Sequence, residues 1–151
     1  MIHTSTGSDV LDLLDRVMVR PELYEALMIC TPFLDASMLE RLDHLAARAH
    51  AGRCELRLLT TPESGSRLPP VLLDGLTRRK GGLTAVRRLH AKVYLALARR
   101  SGRSEAIITS ANLTRAGVTD NIELGIRALT TSEAGSRILS EAHHFIRRLA
   151  V

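Results

Sequence analysis

The sequence predicts an α/β sandwich, a mixed β-sheet with helices packed on its faces. Three observations carry this. In the first half, amphipathic stretches of helical period alternate with short apolar runs. In the second half, strand-like segments cluster without helices between them. The chain then closes on one more amphipathic helix, so both faces of a sheet have something to cover them. The length of 151 residues fits one domain spanning residues 1–151, enough to bury roughly two-thirds of its unfolded surface without disulfide or metal staples. With 45% apolar and 25% charged residues the composition is that of a folded chain, which excludes global disorder.

Each element has its own signal. Residues 9–19 read as a helix, with Val10, Leu13, Leu14 and Val17 on one face and residues 6–9 as its capping region. Residues 26–31 are an apolar run stopped by Pro32, which suits a buried strand. Residues 36–51 form the next helix, with a stripe of Leu39, Leu42, Leu45, Ala46 and Ala49 and a stop at Gly52. Residues 55–60 read as a strand and 61–70 as a loop rich in Pro, Ser and Gly. A short helix over 70–79 is closed by Gly81-Gly82. Residues 85–89, 91–98, 105–109 and 122–129 are strand-like, and the RRSGR segment at 99–103 reads as a hairpin tip. The last helix opens at a capping box, Thr130-x-x-Glu133, with Ile138, Ala142, Phe145, Ile146 and Leu149 as its apolar face.

Charge narrows the partner. Residues 1–45 carry three Arg and eight Asp or Glu, net −5, whereas residues 46–151 carry 18 Lys or Arg and eight Asp or Glu, net +10. A basic two-thirds points to an anionic partner, nucleic acid or phospholipid. The 21 basic residues include only two lysines, Lys80 and Lys92, which singles both out. The four aromatics, Tyr24, Phe33, Tyr94 and Phe145, all lie in apolar patterns, so a nucleic-acid partner would be read through its phosphates and not by base stacking. No apolar run approaches the roughly 20 residues of a membrane span. The N-terminus lacks a basic region followed by an apolar one, so a cytoplasmic location is expected. Cys30 and Cys54 lack metal-ligand spacing and are expected to be reduced core residues. No metal or cofactor is expected.

The chemistry concentrates between residues 89 and 126. In a strand, His90 and Lys92 are two apart and leave the same face. An imidazole beside an ammonium group suits a phosphate: the Lys supplies charge, and the His attacks or transfers a proton. Ser110 and Asn112 repeat that spacing at the end of the next strand, where hydroxyl and amide suit phosphate oxygens. Glu123, expected in a further strand, is placed to hold a His in the needed tautomer. The other histidines have no Lys two residues on, and the adjacent helical pair His143 and His144 diverge by about 100°, a poor chelate.

HAKVYLA followed by ITSANLTRAGVTDNIELGI resembles the signature of the phospholipase D superfamily, His-x-Lys with a later Ser-x-Asn and an acidic residue eleven positions beyond the Asn. The resemblance extends more loosely over residues 20–151. It implies that a His attacks phosphorus to give a phosphohistidine, that a second His from another copy of the motif protonates the leaving oxygen, and that no metal is required. Carried over by position, His90 is nucleophile or acid, Lys92 and Asn112 bind phosphate, Ser110 supports that site and Glu123 orients a His. The family's Asp, five residues after the Lys, is Leu97 here, which weakens a lipase reading. The chain also holds one motif where a site needs two, so a homodimer with one composite site is expected.

The expected activity is thus a metal-independent endonuclease on DNA or RNA, resembling the small single-motif branch of that superfamily, with a helicase or a restriction or defence partner and no membrane. Arg99, Arg100 and Arg103 at the hairpin tip, with Arg115, Arg87 and Arg88 nearer the motif, are the expected phosphate-backbone contacts. A non-catalytic nucleic-acid-binding module and a phosphodiesterase acting on phospholipid are the alternatives.

Overall fold

Seven strands form one mixed sheet in the computed structural model, which describes residues 1–78, 82–100 and 102–151. In chain order these are β1 (Ile2–Ser5), α1 (Gly7–Val19), β2 (Tyr24–Cys30), α2 (Ala36–Ala51), β3 (Glu55–Thr60), α3 (Pro62–Gly65), α4 (Pro70–Thr77), β4 (Leu83–Ala85), β5 (Val93–Ala98), β6 (Glu105–Thr109), β7 (Gly125–Leu129) and α5 (Glu133–Leu149). The sheet order is β1-β7-β6-β5-β2-β3-β4. Strands β2, β3 and β4 run parallel, while β5, β6, β7 and β1 join them antiparallel. The helix-rich first half builds the parallel part, because parallel neighbours need crossover connections, and the helix-poor second half builds the meander.

Two apolar layers flank the sheet. On one side Val10, Leu13 and Val17 of α1 and Leu42 and Leu45 of α2 pack on Leu27, Ile29, Leu58 and Tyr94. On the other, Leu139, Ala142 and Ile146 of α5 pack on Met28, Val93, Leu95 and Ala106. The expected mixed sheet with helices on both faces is the observed one.

Several boundaries differ, each for a local reason. The N-terminal segment, expected only to precede a helix, forms edge strand β1 against β7, its polar residues Thr4 and His3 exposed. Helix α1 starts earlier than residue 9, at Gly7, and the Asp9 carboxylate accepts from the Thr6 amide at 2.7 Å. Part of the 61–70 loop is helical, because Thr61 Oγ1 accepts from the Ser64 amide and caps α3. The strand expected at 85–89 lies instead at Leu83–Ala85, and the chain turns through Arg88 in the left-handed region (φ 57°). The strand expected from 122 begins only at Gly125. The cap of α5 is Ser132, whose Oγ accepts from the Gly135 amide, and not Thr130. The Thr130 hydroxyl is committed elsewhere, accepting from the Ser104 amide. Of its expected apolar face, Ala142 and Ile146 are buried, and the unexpected Leu139 joins them, while Ile138, Phe145 and Leu149 are only half-buried. Gly81, expected to close α4, and Lys80 lie outside the described residues.

One charged group is locked into the sheet. The buried Glu105 carboxylate accepts from Arg16 at 2.7 Å and from Arg127 at 2.5 Å, tying α1 to β6 and β7. Hydrogen bonding to Glu105 holds the Arg127 guanidinium above its ordinary pKa. Replacing Glu105 by Ala should destabilise the fold by about 2 kcal/mol, less than the roughly 3–5 kcal/mol of a fully buried broken pair, because both guanidinia are part-exposed. Urea denaturation monitored by circular dichroism reads this; an unchanged midpoint would show the cluster to be energetically idle.

Candidate active site

The residues singled out by sequence come together at one end of the sheet. His90 and Lys92 lie just before β5 and not in a strand as the sequence predicts, but the ladder continues past the strand: the Thr109 amide donates to the Lys92 carbonyl at 3.1 Å. The alternation also continues. Ala91, Val93 and Leu95 pack with the α5 layer and Tyr94 with the α1 layer, so His90 and Lys92 carry the parity of Tyr94. On the next strand the ladder likewise runs past β6, with the Ser110 amide donating to the Leu124 carbonyl at 3.1 Å. Glu123 sits in the loop before β7, not in a strand. The register of β5 with β6 and of β6 with β7 thus brings the 90–92, 110–112 and 123 segments side by side.

Their hydrogen bonds divide them. Ser110 Oγ donates to a Glu123 carboxylate oxygen and accepts from the Leu124 amide at 3.2 Å. The other Glu123 oxygen accepts from Asn121 Nδ2 at 3.2 Å. No His lies within hydrogen-bond or ion-pair distance of Glu123 among the described residues, so the brace it forms is with Ser110, whose proton is thereby committed. His90, Lys92 and the Asn112 side chain make no such bond among the described residues. Asn112 Oδ1 is buried and unpartnered, a position that costs about 1–3 kcal/mol wherever nothing satisfies it. An exposed imidazole, a half-buried ammonium and a half-buried amide are left uncommitted at one edge. That set can hold an anionic tetrahedral group and attack it.

Four residues that sequence reading left in the apolar pattern, or passed over, build this edge. Tyr94 Oη donates to the Ala111 carbonyl at 3.0 Å, between Ser110 and Asn112, and burial pushes its phenol pKa up. Thr31 Oγ1 accepts from the Leu113 amide and donates to the Phe33 carbonyl, both at 3.1 Å. Asp35 caps α2 through the Met38 amide and also accepts from the Arg115 amide at 2.7 Å. Burial pushes the Asp35 carboxyl up, but these hydrogen bonds and that of Ser37 outweigh it and hold its pKa below the ordinary value. Gly117 allows the loop to fold back, since a Cβ there would meet the Asn112 carbonyl oxygen at 2.5 Å. The spacing of Tyr94, two residues after Lys92, was the available signal for the first of these.

Other candidates fall elsewhere. Arg99, Arg100 and Arg103 follow the far end of β5, so six residues of strand, about 20 Å, separate them from the site. The structure does not bring them to the motif. Arg115, Arg87 and Arg88 are exposed on the site's side of the sheet. Leu97 faces the α5 layer near that far end, opposite in parity to Lys92. Cys30 and Cys54 are buried and form no disulfide among the described residues. Burial pushes the Cys30 thiol up to about 12. No three His, Cys, Asp or Glu side chains among the described residues are grouped so as to hold a metal ion. No described helix is long and apolar enough to cross a membrane.

No model of a known protein family matches the sequence, and no curated protein matches it. Solved structures do. Nuc from Salmonella typhimurium, a phospholipase D family member, superposes with a TM-score of 0.53 over 95% of this chain and 91% of its own, at 12% identity. Polyphosphate kinase from Porphyromonas gingivalis gives 0.65 over 99% of this chain but only 26% of its own, at 15% identity. Yeast tyrosyl-DNA phosphodiesterase gives 0.53 over 85% of this chain and 32% of its own, at 12% identity. The chain therefore shares the fold of these structures, a phospholipase D family member among them.

Replacing Tyr94 by Phe removes the donor to Ala111 and keeps the ring. It should cost about 1 kcal/mol, a fall in melting temperature of about 2–4 °C for a chain of this size. A melting temperature equal to that of the parent protein would show that the loop is held without it.

Proposed function

We propose that this chain is a phosphodiesterase that cleaves DNA or RNA without a metal, through a phosphohistidine, at a site made by two copies of the chain. The observation that carries the reading is the shared edge of the sheet on which His90, Lys92 and Asn112 stand uncommitted beside a braced Ser110–Glu123 pair. The fold, shared with a phospholipase D family member and with an enzyme named as a phosphodiesterase, adds support.

In the proposed mechanism a neutral His90 nitrogen attacks the phosphorus, forming a P–N bond as the P–O bond to the leaving group breaks. The imidazolium of His90 from the second copy gives its proton to the departing oxygen. Lys92 and Asn112 from each copy hold the non-bridging oxygens, where negative charge gathers in the transition state. Water, deprotonated by the second imidazole, then attacks phosphorus and breaks the P–N bond. Every acid and base in the cycle is restored.

The basic two-thirds of the chain favours nucleic acid over a neutral substrate. The expectation that a helicase or defence partner delivers it stays part of this proposal.

Cleavage of supercoiled plasmid, single-stranded DNA and RNA should persist in excess EDTA and fall by at least about 1,000-fold in His90→Ala. Cleavage that needs added Mg²⁺, or that survives His90→Ala, overturns the reading.

Exposed aliphatic side chains beside the site support the two-copy reading. Ile122 is fully exposed and Leu124 is 71% exposed, on either side of Glu123. Aliphatic side chains so placed beside the site suit burial by a second copy. Light scattering after size-exclusion chromatography should give a dimer for the natural chain. Leu124→Asp should shift it to monomer and reduce cleavage together. A natural chain that is monomeric at micromolar concentration and still cleaves sinks the composite site.

A further inference from the structure

The hairpin joining β5 to β6 holds basic side chains that the candidate active site does not use. Arg99, Arg100 and Arg103 are exposed there, and Arg53, which precedes β3, stands at the same end of the sheet, its carbonyl accepting from Arg99 Nη2. The nearby Arg16 and Arg20 are neutralised by Glu105 and Glu22. Arg53, Arg99, Arg100 and Arg103 have no carboxylate partner among the described residues. The hairpin borders a cleft of about 680 Å³ whose other wall includes Glu22, Leu23 and Tyr24.

The backbone there is also unusual. Arg53 and Arg100 adopt left-handed φ of 57° and 50°, where glycine would sit without strain. Arginine occupies both positions.

We propose that this end of the sheet is a second contact surface for a nucleic-acid backbone, separate from the catalytic edge. Guanidinium groups pair with phosphates in a fork geometry, and those gathered here have no carboxylate among the described residues to compete with a phosphate. The strand fixes the spacing. About 20 Å of β5 lies between hairpin and site, and a duplex advances about 3.4 Å per base pair, so the contact falls roughly six base pairs from the phosphate being cleaved. Short substrates cannot reach both. The surface therefore gives a length dependence, with long substrates bound at two places and short ones at one. This inference rests on the proposed nuclease reading for its substrate, but binding tests it without cleavage.

The test replaces Arg99, Arg100 and Arg103 together by Ser, with a matching triple Lys variant as the charge control. Binding is followed by fluorescence anisotropy across a salt series, using a duplex of about 30 base pairs. The Ser variant should bind about tenfold more weakly, with a log–log salt slope shallower by about 2–3, and the Lys variant should recover most of the loss. Cleavage of a fragment of about four nucleotides should be unchanged in both, because it cannot span the gap. Duplex binding that ignores the Ser substitutions overturns the proposal, as does equal loss on long and short substrates. So does a loss confined to phosphatidylglycerol vesicles, which would assign the hairpin to a membrane. If the natural chain cleaves neither substrate, the nuclease reading fails, while weakened duplex binding by the Ser variant still upholds the surface.

Discussion

The candidate site depends on how the chain leaves β6. Past Thr109 the backbone must stop pairing as a strand while still presenting Ser110 and Asn112 beside the His-x-Lys segment. Two side chains beneath it make this possible. Tyr94 takes the Ala111 carbonyl and Thr31 takes the Leu113 amide, both from strands or strand ends already fixed by the core. A loop whose backbone groups are bound at alternate residues has little freedom to move Asn112 away. Asp35 extends the same restraint to Arg115 while capping α2, so the helix start and the loop end share one carboxylate. The rigid sheet supplies the geometry, and the loop supplies the chemistry.

That arrangement reassigns the polar residues. Ser110 and Glu123 satisfy each other, with Asn121 and the Leu124 amide completing the set. A hydroxyl already donating to a carboxylate is a brace before it is a phosphate ligand. In the proposed reading Lys92 and Asn112 are then left for the anion, and His90 for the attack. The position of Leu97 fits this division. It lies at the far end of β5 on the α5 side, where no side chain could touch the imidazole across the thickness of the sheet. Leu97 therefore bears on packing near the hairpin and leaves the candidate site's own residues untouched.

Much of this was legible in the sequence where a local signal coincided with a tertiary one. Residues 36–51 and 55–60 were readable to their ends because the apolar stripe of the helix runs up to the Gly52 stop and the strand follows directly. Residues 105–109 were readable as an apolar run between polar ends. Strand β1 was not, because Ile2–Ser5 is polar and forms only by pairing with β7, more than 120 residues away. The capping box at Thr130 misled because the same hydroxyl serves the Ser104 amide, a contact made by the sheet. At the candidate site, types and spacing singled out His90, Lys92, Ser110, Asn112 and Glu123, which the fold places at one end of the sheet, but parity alone did not reveal that Glu123 would turn to Ser110. The support from Tyr94 and Thr31 was hidden by their apolar surroundings.

The hairpin arginines show why sequence nearness misleads in a sheet. Arg99 is only seven residues from Lys92, yet a strand is the most extended path a chain can take, so those residues carry it to the opposite edge. Arg115 and Asp35 lie 80 residues apart and touch. A basic patch at the far end of a strand exerts little electrostatic influence on the candidate site, because screening at physiological salt removes most of a charge's influence beyond about 8 Å. In the proposed reading those guanidinia meet only a ligand long enough to reach them. Distance therefore separates the candidate site from the hairpin arginines, so that a substitution at one leaves the geometry of the other undisturbed.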